Sequence, residues 1–238
     1  METTPDSSSS GLIQQLLPFR IIFADTEELL QKACDIRYKC YKKHIPELAE
    51  GMQDITPEDR HPDYAVMLAV SKVDESVIGT VRVQVARSTN LGLERSVSLP
   101  AALKNNTVAE ITRLTATGSN GSLTVRLMLM KASYWYARLN DVSNIFLCAR
   151  SPVDKQYQVF QFNELFENKE FYPMSHIGGI AHRVMWFNLM AIEQYWKKIE
   201  HPFYHSFVKT FHPDVLEGLH MLCIEKEKYG PSFFKASA

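Results

Sequence analysis

The chain is short of several things, and each shortage removes a class of protein. Its 238 residues hold four cysteines, Cys34, Cys40, Cys148 and Cys223, with no C-x-x-C among them. So few thiols in a chain this long do not make a disulfide framework, which points to a reducing, cytoplasmic setting. Charge of either sign is not in excess: 26 Lys+Arg against 27 Asp+Glu leave a formal net charge of −1. That removes any global electrostatic argument for nucleic acid or an anionic membrane surface as a partner. No stretch reaches the roughly 18 consecutive apolar residues of a transmembrane segment. The start, METTPDSSSS, lacks the basic and apolar regions of a signal peptide. No repeat of about 20–50 residues is visible.

A core is well provided for. With 45% apolar and 22% charged residues, the chain can bury a sizeable interior, and its length suits one large domain. Residues 1–17 are expected to form a flexible leader, 18–186 the main domain, and 187–238 a helical extension packed on it. Pro18–Ala24 reads as a strand. Thr26 then caps a helix in which Leu29, Leu30, Ala33, Ile36, Arg37, Cys40 and Tyr41 recur at helical spacing, stopping before Pro46. Tyr64–Ser71 and Ser76–Ala86 read as an antiparallel hairpin, with Val81, Val83 and Val85 on one face and Thr80, Arg82 and Gln84 on the other. Thr107–Thr117 reads as a strand, Ser122–Asn140 as a helix and Val142–Ala149 as a buried strand. A helix starting with Pro152 at its first position, a strand over His176–Trp186 and a helix over Leu189–Ile199 complete the order. Strands mixed with crossover helices imply an α/β fold, one sheet flanked by helices.

Four local patterns carry chemistry. Arg37 and Tyr41 are four apart and share a helix face. Arg82 follows Gly79 on one strand, and Glu110 and Arg113 share another. Gly118, Ser119, Gly121 and Ser122 form a loop opening a helix, where free backbone N–H groups favour an anion. Glu110 and Arg113 are three apart, so an ideal strand would aim them at opposite faces; sharing a pocket requires a β-bulge.

Together these residues resemble the autoinducer-synthase-like branch of the GCN5-related N-acyltransferase (GNAT) fold, which holds acyl-homoserine lactone synthases and N-acyl amino acid synthases. The matching patterns are Arg37-Tyr-Lys-Cys-Tyr41, Asp59 with Asp63, Gly79-Thr-Val-Arg82 and Glu110-Ile-Thr-Arg113. Tyr157-Gln-Val-Phe160-Gln-Phe162 resembles a helix end common in this fold, with Gln161 where a glycine is usual. The tryptophan that acyl-homoserine lactone synthases carry after the first-helix aromatic is missing from His44-Ile45-Pro46-Glu47. The resemblance therefore leans toward N-acyl amino acid synthases. It implies a mixed sheet flanked by helices and transfer of a long acyl chain from a carrier protein or CoA thioester to the amine of a small acceptor, most simply an amino acid. No bound cofactor is implied; the acyl-phosphopantetheine thioester is a co-substrate, and an acyl carrier protein is the expected partner. The open spacing from Arg113 to Gly118 and Gly121 suits one phosphopantetheine phosphate better than the 3′-phospho-ADP of CoA.

In that scheme Glu110 is the base or ammonium anchor and Tyr157 the acid. Arg37, Tyr41, Asp59, Asp63, Arg82 and Arg113 bind substrate, and Gly118, Ser119, Gly121 and Ser122 hold the phosphopantetheine. The acyl tunnel is expected between the sheet and the helix 122–140. Plainer readings stand beside these: Arg37, Tyr41 and Tyr157 also suit a core rim, and the 118–122 loop also suits a simple connection. His201, His205 and His212 invite a metal, but Pro202 breaks their helical spacing and no matching Asp or Cys follows, so no metal is expected there. Rival functions are an acyl-homoserine lactone synthase using S-adenosylmethionine, a CoA-dependent acetyltransferase and a non-catalytic acyl-binding module.

Overall fold

A computed structural model describes residues 13–104, 106–118, 122–217 and 219–229. The first half of the chain runs β1 (Ile13–Gln14), β2 (Phe19–Phe23), α1 (Glu27–Tyr41), α2 (Pro46–Ala49), α3 (Pro57–Arg60), β3 (Tyr64–Ser71), β4 (Val77–Val85), α4 (Ala101–Lys104) and β5 (Val108–Ala116). The second half runs α5 (Ser122–Leu139), β6 (Asn144–Ala149), α6 (Val153–Val159), β7 (Asn163–Glu164), β8 (Tyr172–Met174), β9 (Ile180–Asn188), α7 (Leu189–Lys198), β10 (Thr210–Phe211) and α8 (Leu219–Tyr229). The main sheet has the order β2–β3–β4–β5–β6–β9–β7, with β8 also paired to β9. Its neighbours are antiparallel except β5 and β6, which run parallel.

Alternation along the strands divides the interior in two. Val81, Val83 and Val85 join Met67 and Ala69 under Val125 and Leu129 of α5. Val66, Leu68 and Val70 point the other way, against Leu30 and Ala33 of α1. Gly79 permits the first of these contacts: a Cβ there would sit 2.7 Å from Val125 Cγ1 and 3.0 Å from the Thr115 carbonyl. Thr26 caps α1 as its sequence suggests, its hydroxyl accepting from the Leu29 N–H at 3.2 Å. Glu27 and Glu28 in the first turn and Lys39 in the last complement the helix dipole.

One irregularity shapes everything downstream. Arg82 pairs with Thr112 and Thr80 with Thr115, so two residues of β5, Arg113 and Leu114, oppose the single Val81 of β4. Arg113 takes φ +59° to make this step. The bulge that the Glu110–Arg113 spacing required is therefore present, and a bulge bends its strand. β5 and β6 pair only from Val108–Asn144 to Ile111–Leu147. Beyond that point β5 stays with β4 to Ala116, while β6 stays with β9 to Ala149. The two parallel strands part into a V.

Several boundaries differ from the sequence reading. Residues 13–17 of the expected leader are tied to the domain: β1 pairs in parallel with β10, and buried Leu17 donates its N–H to Asp214 Oδ2 at 2.9 Å. The segment after residue 187 is not uniformly helical, because Tyr204–Lys209 forms a π-helical turn that feeds directly into β10. Pro152 occupies the cap before α6 rather than its first turn. The last long strand starts at Ile180 instead of His176, because Gly178 and Gly179, at φ +68° and +73°, turn the chain. His176 lies in the preceding 3₁₀ turn, Ser175–Ile177.

Candidate active site

A cavity of about 840 Å³ opens where β5 and β6 part. That size suits a small-molecule or cofactor site. β5 contributes Glu110 through Ala116, β6 contributes Cys148 and Ala149, α6 contributes Gln156 and Tyr157, and the end of α1 contributes Cys40 and Tyr41. Pairing with β4 and β9 uses only the outer edges of β5 and β6, so their inner edges carry backbone groups facing the gap.

Glu110 lies at the apex of the V, 1% exposed. Its Oε2 accepts the Leu93 N–H at 3.0 Å. Gly92 makes that approach possible, since a Cβ there would fall 3.2 Å from the same oxygen. Oε1 is buried without a hydrogen bond and lies 3.4 Å from His176 Nε2. Neither ring nitrogen of His176 has a hydrogen-bond partner. Glu110, Cys148 and His176 each offer a ligand-type atom, all within 4.8 Å of one another. Burial, and then the Glu110 charge, push the Cys148 thiol well above its ordinary range, so it is neutral. Sequence reasoning missed His176 and Cys148. A single histidine in a loop and a single cysteine on a strand carry no spacing signal; tertiary register alone brings them to Glu110.

The arginines divide into two roles. Arg37 Nη1 and Arg82 Nη1 both donate to Asp59 Oδ1, at 2.9 and 3.2 Å. Thr56 supplies Asp59 Oδ2 with its N–H at 3.2 Å and its hydroxyl at 3.0 Å, as the capping box of α3. Burial alone would raise the Asp59 carboxyl, but Arg37 and Arg82 hold it below its ordinary value. Arg82 also donates from Nε to Thr112 at 3.3 Å and lies over the Tyr64 ring, 5.2 Å from its centroid. Two cations thus share one carboxylate, leaving the cluster net positive. Arg113 stands apart. Its Nη1 reaches Met52 Sδ at 3.6 Å, and among the described residues it has no ion pair. Burial lowers its pKa, with the neighbouring Arg82 and Arg37 adding to the drop and Tyr41 opposing it. The bulge brings Arg113 to the cavity that Glu110 also lines.

The other expected site residues are spread unevenly. Tyr41, Arg82, Gly118 and Tyr157 line the cavity, while Arg37, Asp59 and Asp63 do not. Asp63 is wholly engaged elsewhere, its Oδ2 accepting the N–H and hydroxyl of both Ser88 and Thr89. Burial would raise that carboxyl, but these four donors hold it at about 2. It fixes a turn and does not line the cavity. Ser119 and Gly121 lie outside the described residues, and Ser122 begins α5 away from the cavity wall. Burial pushes the Tyr157 phenol far above its ordinary value, so it stays protonated. Gln161, at φ +67°, terminates α6 in the left-handed conformation that explains why a glycine is usual there.

The acyl tunnel expected beneath α5 is not open. Leu129, Met130, Tyr134 and Trp135 pack that space solidly. What remains is an apolar void of about 20 Å³ among Ile111, Tyr134, Phe162 and Trp196. The open volume instead lies between the parted strands.

Comparison with known proteins agrees with this geometry. The family model of the N-acyl amino acid synthase FeeM matches residues 32–177, more than half of the chain. The structure of FeeM, an N-acyl amino acid synthase from uncultured soil microbes, superposes with a TM-score of 0.59 at 10% identity, covering 76% of this chain and 97% of that one. The CoA-dependent acyl-homoserine lactone synthase BjaI, solved with MTA, gives 0.52 at 13% identity over 82% of this chain and 93% of that one. A GNAT-family protein from Desulfovibrio desulfuricans also gives 0.52, at 11% identity over 72% and 99%. No curated protein matches the sequence. With a GNAT-type sheet parted at β5 and β6 and a family match spanning α1 through His176, the chain belongs to the FeeM family of N-acyl amino acid synthases and is an N-acyltransferase.

Proposed function

We propose that the protein transfers a long acyl group from the phosphopantetheine thioester of an acyl carrier protein to the α-amine of an amino acid in the cytoplasm. The observation that carries this reading is the presence of Glu110 and Arg113 in one cavity: a buried carboxylate with one oxygen free of hydrogen bonds, and a half-buried guanidinium without an ion pair among the described residues. An amino acid offers the complement, an ammonium for the first and a carboxylate for the second, and guanidinium meets carboxylate bidentately. An acceptor amine without a carboxylate would leave Arg113 uncompensated.

The thioester enters between β5 and β6, its pantetheine arm taking up the free strand edges and its acyl chain lying along Ile111, Leu114, Ala149 and Val153. At the mouth, Lys39, Lys43, Arg126 and Arg150 form a cationic rim suited to the phosphate and to an acidic carrier. The acceptor amine must lose one proton before its nitrogen can attack a thioester. Glu110 accepts that proton, directly or through one water. The amine nitrogen attacks the carbonyl carbon, and the charge that develops on oxygen meets backbone N–H groups of the parted strands. The C–S bond breaks as the tetrahedral intermediate collapses; the departing thiolate takes a proton from the Tyr157 phenol, and the proton that the amide nitrogen sheds restores the phenol.

Bacteria expressing the wild-type chain or Glu110→Gln are extracted and compared by untargeted mass spectrometry. New N-acyl amino acids with the wild type alone are expected. New acyl-homoserine lactones, or equal products from both chains, would overturn the assignment.

A further inference from the structure

The group formed by Glu110, Cys148 and His176 holds more ligating capacity than amide formation uses. Acyl transfer needs one base at this point, and Glu110 alone meets that need. Yet a thiol and an imidazole face the same carboxylate, and none of Glu110 Oε1, His176 Nδ1 or His176 Nε2 has a hydrogen-bond partner although all are buried. Glu110 is 1% exposed, so its bare oxygen is a polar atom held out of water and aimed into the group. Orphaned buried polar atoms are costly, and they stand here on two separate elements, β5 and the turn before β9, with Cys148 of β6 beside them.

We propose that these three side chains form a binding site for a zinc-type divalent ion, with Glu110 Oε1, Cys148 Sγ and His176 Nε2 as ligands and the acceptor side of the cavity as an open fourth position. The donor set is borderline-soft, one thiolate, one imidazole and one carboxylate, which suits zinc and cobalt over magnesium or calcium. In a tetrahedral site with bonds of about 2.0–2.3 Å, neighbouring ligand atoms stand roughly 3.3–3.8 Å apart. Glu110 Oε1 and His176 Nε2 already lie 3.4 Å apart. The remaining separations, all within 4.8 Å, close by side-chain rotation of about 1 Å. Three protein ligands with a fourth position open to a cavity is the arrangement of accessible zinc sites rather than sealed structural ones.

Charge supports the same occupant. Glu110 and Cys148, whose ligand atoms lie within 4.8 Å of each other, can carry two negative charges together only with compensation. A divalent cation supplies it: coordination releases the thiol proton, and carboxylate, thiolate and metal sum to zero. The ion then covers the oxygen that the proposed reaction uses as base. Occupancy switches the enzyme off, and a chelator restores it. This inhibitory consequence rests on the proposed role of Glu110, whereas the binding site itself does not.

The test separates the two. Chelator-treated full-length protein is titrated with cobalt(II) and followed by absorption. One equivalent per chain should produce visible ligand-field bands of a tetrahedral centre together with a near-ultraviolet thiolate-to-cobalt charge-transfer band, and zinc should displace both. Cys148→Ser should abolish the charge-transfer band, and His176→Ala should weaken binding at least about tenfold. Cys40→Ser, a thiol on the same cavity wall, should leave the spectrum unchanged. Circular dichroism verifies that each variant is folded. No charge-transfer band at one equivalent, or a band that survives Cys148→Ser in a folded protein, overturns the site. Activity is assayed separately with zinc: a metal-loaded protein that turns over normally would refute the role of Glu110 as base and leave the optical result standing.

Discussion

The Arg37–Asp59–Arg82 cluster makes the sharpest stability prediction. Asp59→Asn changes no more than the charge and one donor–acceptor pattern, since the two side chains are nearly isosteric. Asp59 Oδ1 is the common acceptor for Arg37 and Arg82, and the Asp59 side chain is 1% exposed. Removing its charge leaves two guanidiniums buried with no carboxylate between them, and Arg113 adds a third cation nearby. Breaking a buried pair by deleting one partner costs about 3–5 kcal/mol, because the surviving charge is uncompensated. For a chain of this size, each kcal/mol corresponds to about 2–4 °C in Tm, so the variant should melt about 6–20 °C lower. Differential scanning fluorimetry and urea denaturation measure this directly. Adding Arg82→Met should recover part of the loss, as it removes one orphaned charge. A fall of less than about 1 kcal/mol with activity abolished would refute the reasoning and return Asp59 to the substrate-contacting role that its spacing suggests.

Other outcomes follow from the same geometry. Arg113→Met should raise KM for the amino acid acceptor by about 10-fold or more while leaving KM for the acyl donor unchanged, as expected for loss of a charge-assisted pair of about 1.5–3 kcal/mol; steady-state kinetics with each substrate varied would check it. Burial, reinforced by Lys131, lowers His212 and His220 to about 4 each, from an ordinary 6.5. The unfolded chain therefore binds more protons between those values, and stability should fall as pH drops from 6.5 to 4, by up to about 3 kcal/mol per histidine. Lys131, drawn by burial to about 7, is largely protonated in both states below about pH 6, so urea midpoints at about pH 6 and 4.5 would measure the histidine trend without it. Gly79→Ala should destabilise by about 1–3 kcal/mol through contact with Val125 and the Thr115 carbonyl, read from urea denaturation.

Regular elements were legible because their signals are local. Thr26 marks the start of α1, the alternation of Val81, Val83 and Val85 marks a buried face, and a three-residue separation between Glu110 and Arg113 demanded the bulge that β5 contains. The site was half legible. Glu110, Arg113, Tyr41 and Tyr157 converge as their order along the chain implied. Asp59 and Asp63 stand off the cavity wall, where the sequence could not place them, because a carboxylate beside arginines or turn hydroxyls reads identically whether it meets substrate or scaffold. The acyl path was misplaced because a band of Leu, Met and aromatic residues on α5 gives the same pattern when the space is filled as when it is hollow. His176 reaches Glu110 through a turn after β8, a placement set by the pairing of β8 with β9 rather than by any feature of the residues around it.

The outer edge of β2 is not left bare. Ile21 donates its N–H to the Asp214 carbonyl at 2.6 Å and its own carbonyl accepts the Leu216 N–H at 2.9 Å, a parallel bridge from a segment almost two hundred residues downstream. During synthesis, β2 can find β3 as soon as the hairpin partner emerges, but its other side must wait until residue 216 has left the ribosome. For most of translation the nascent sheet therefore carries one open strand edge, available to other chains as well as to its own. Covering that edge is a long loop closure, the kind whose entropy slows a chain most. Variants that weaken the contacts of residues 214–216 should show their effect first in soluble yield from the cell, before any change in the activity of molecules that have finished folding.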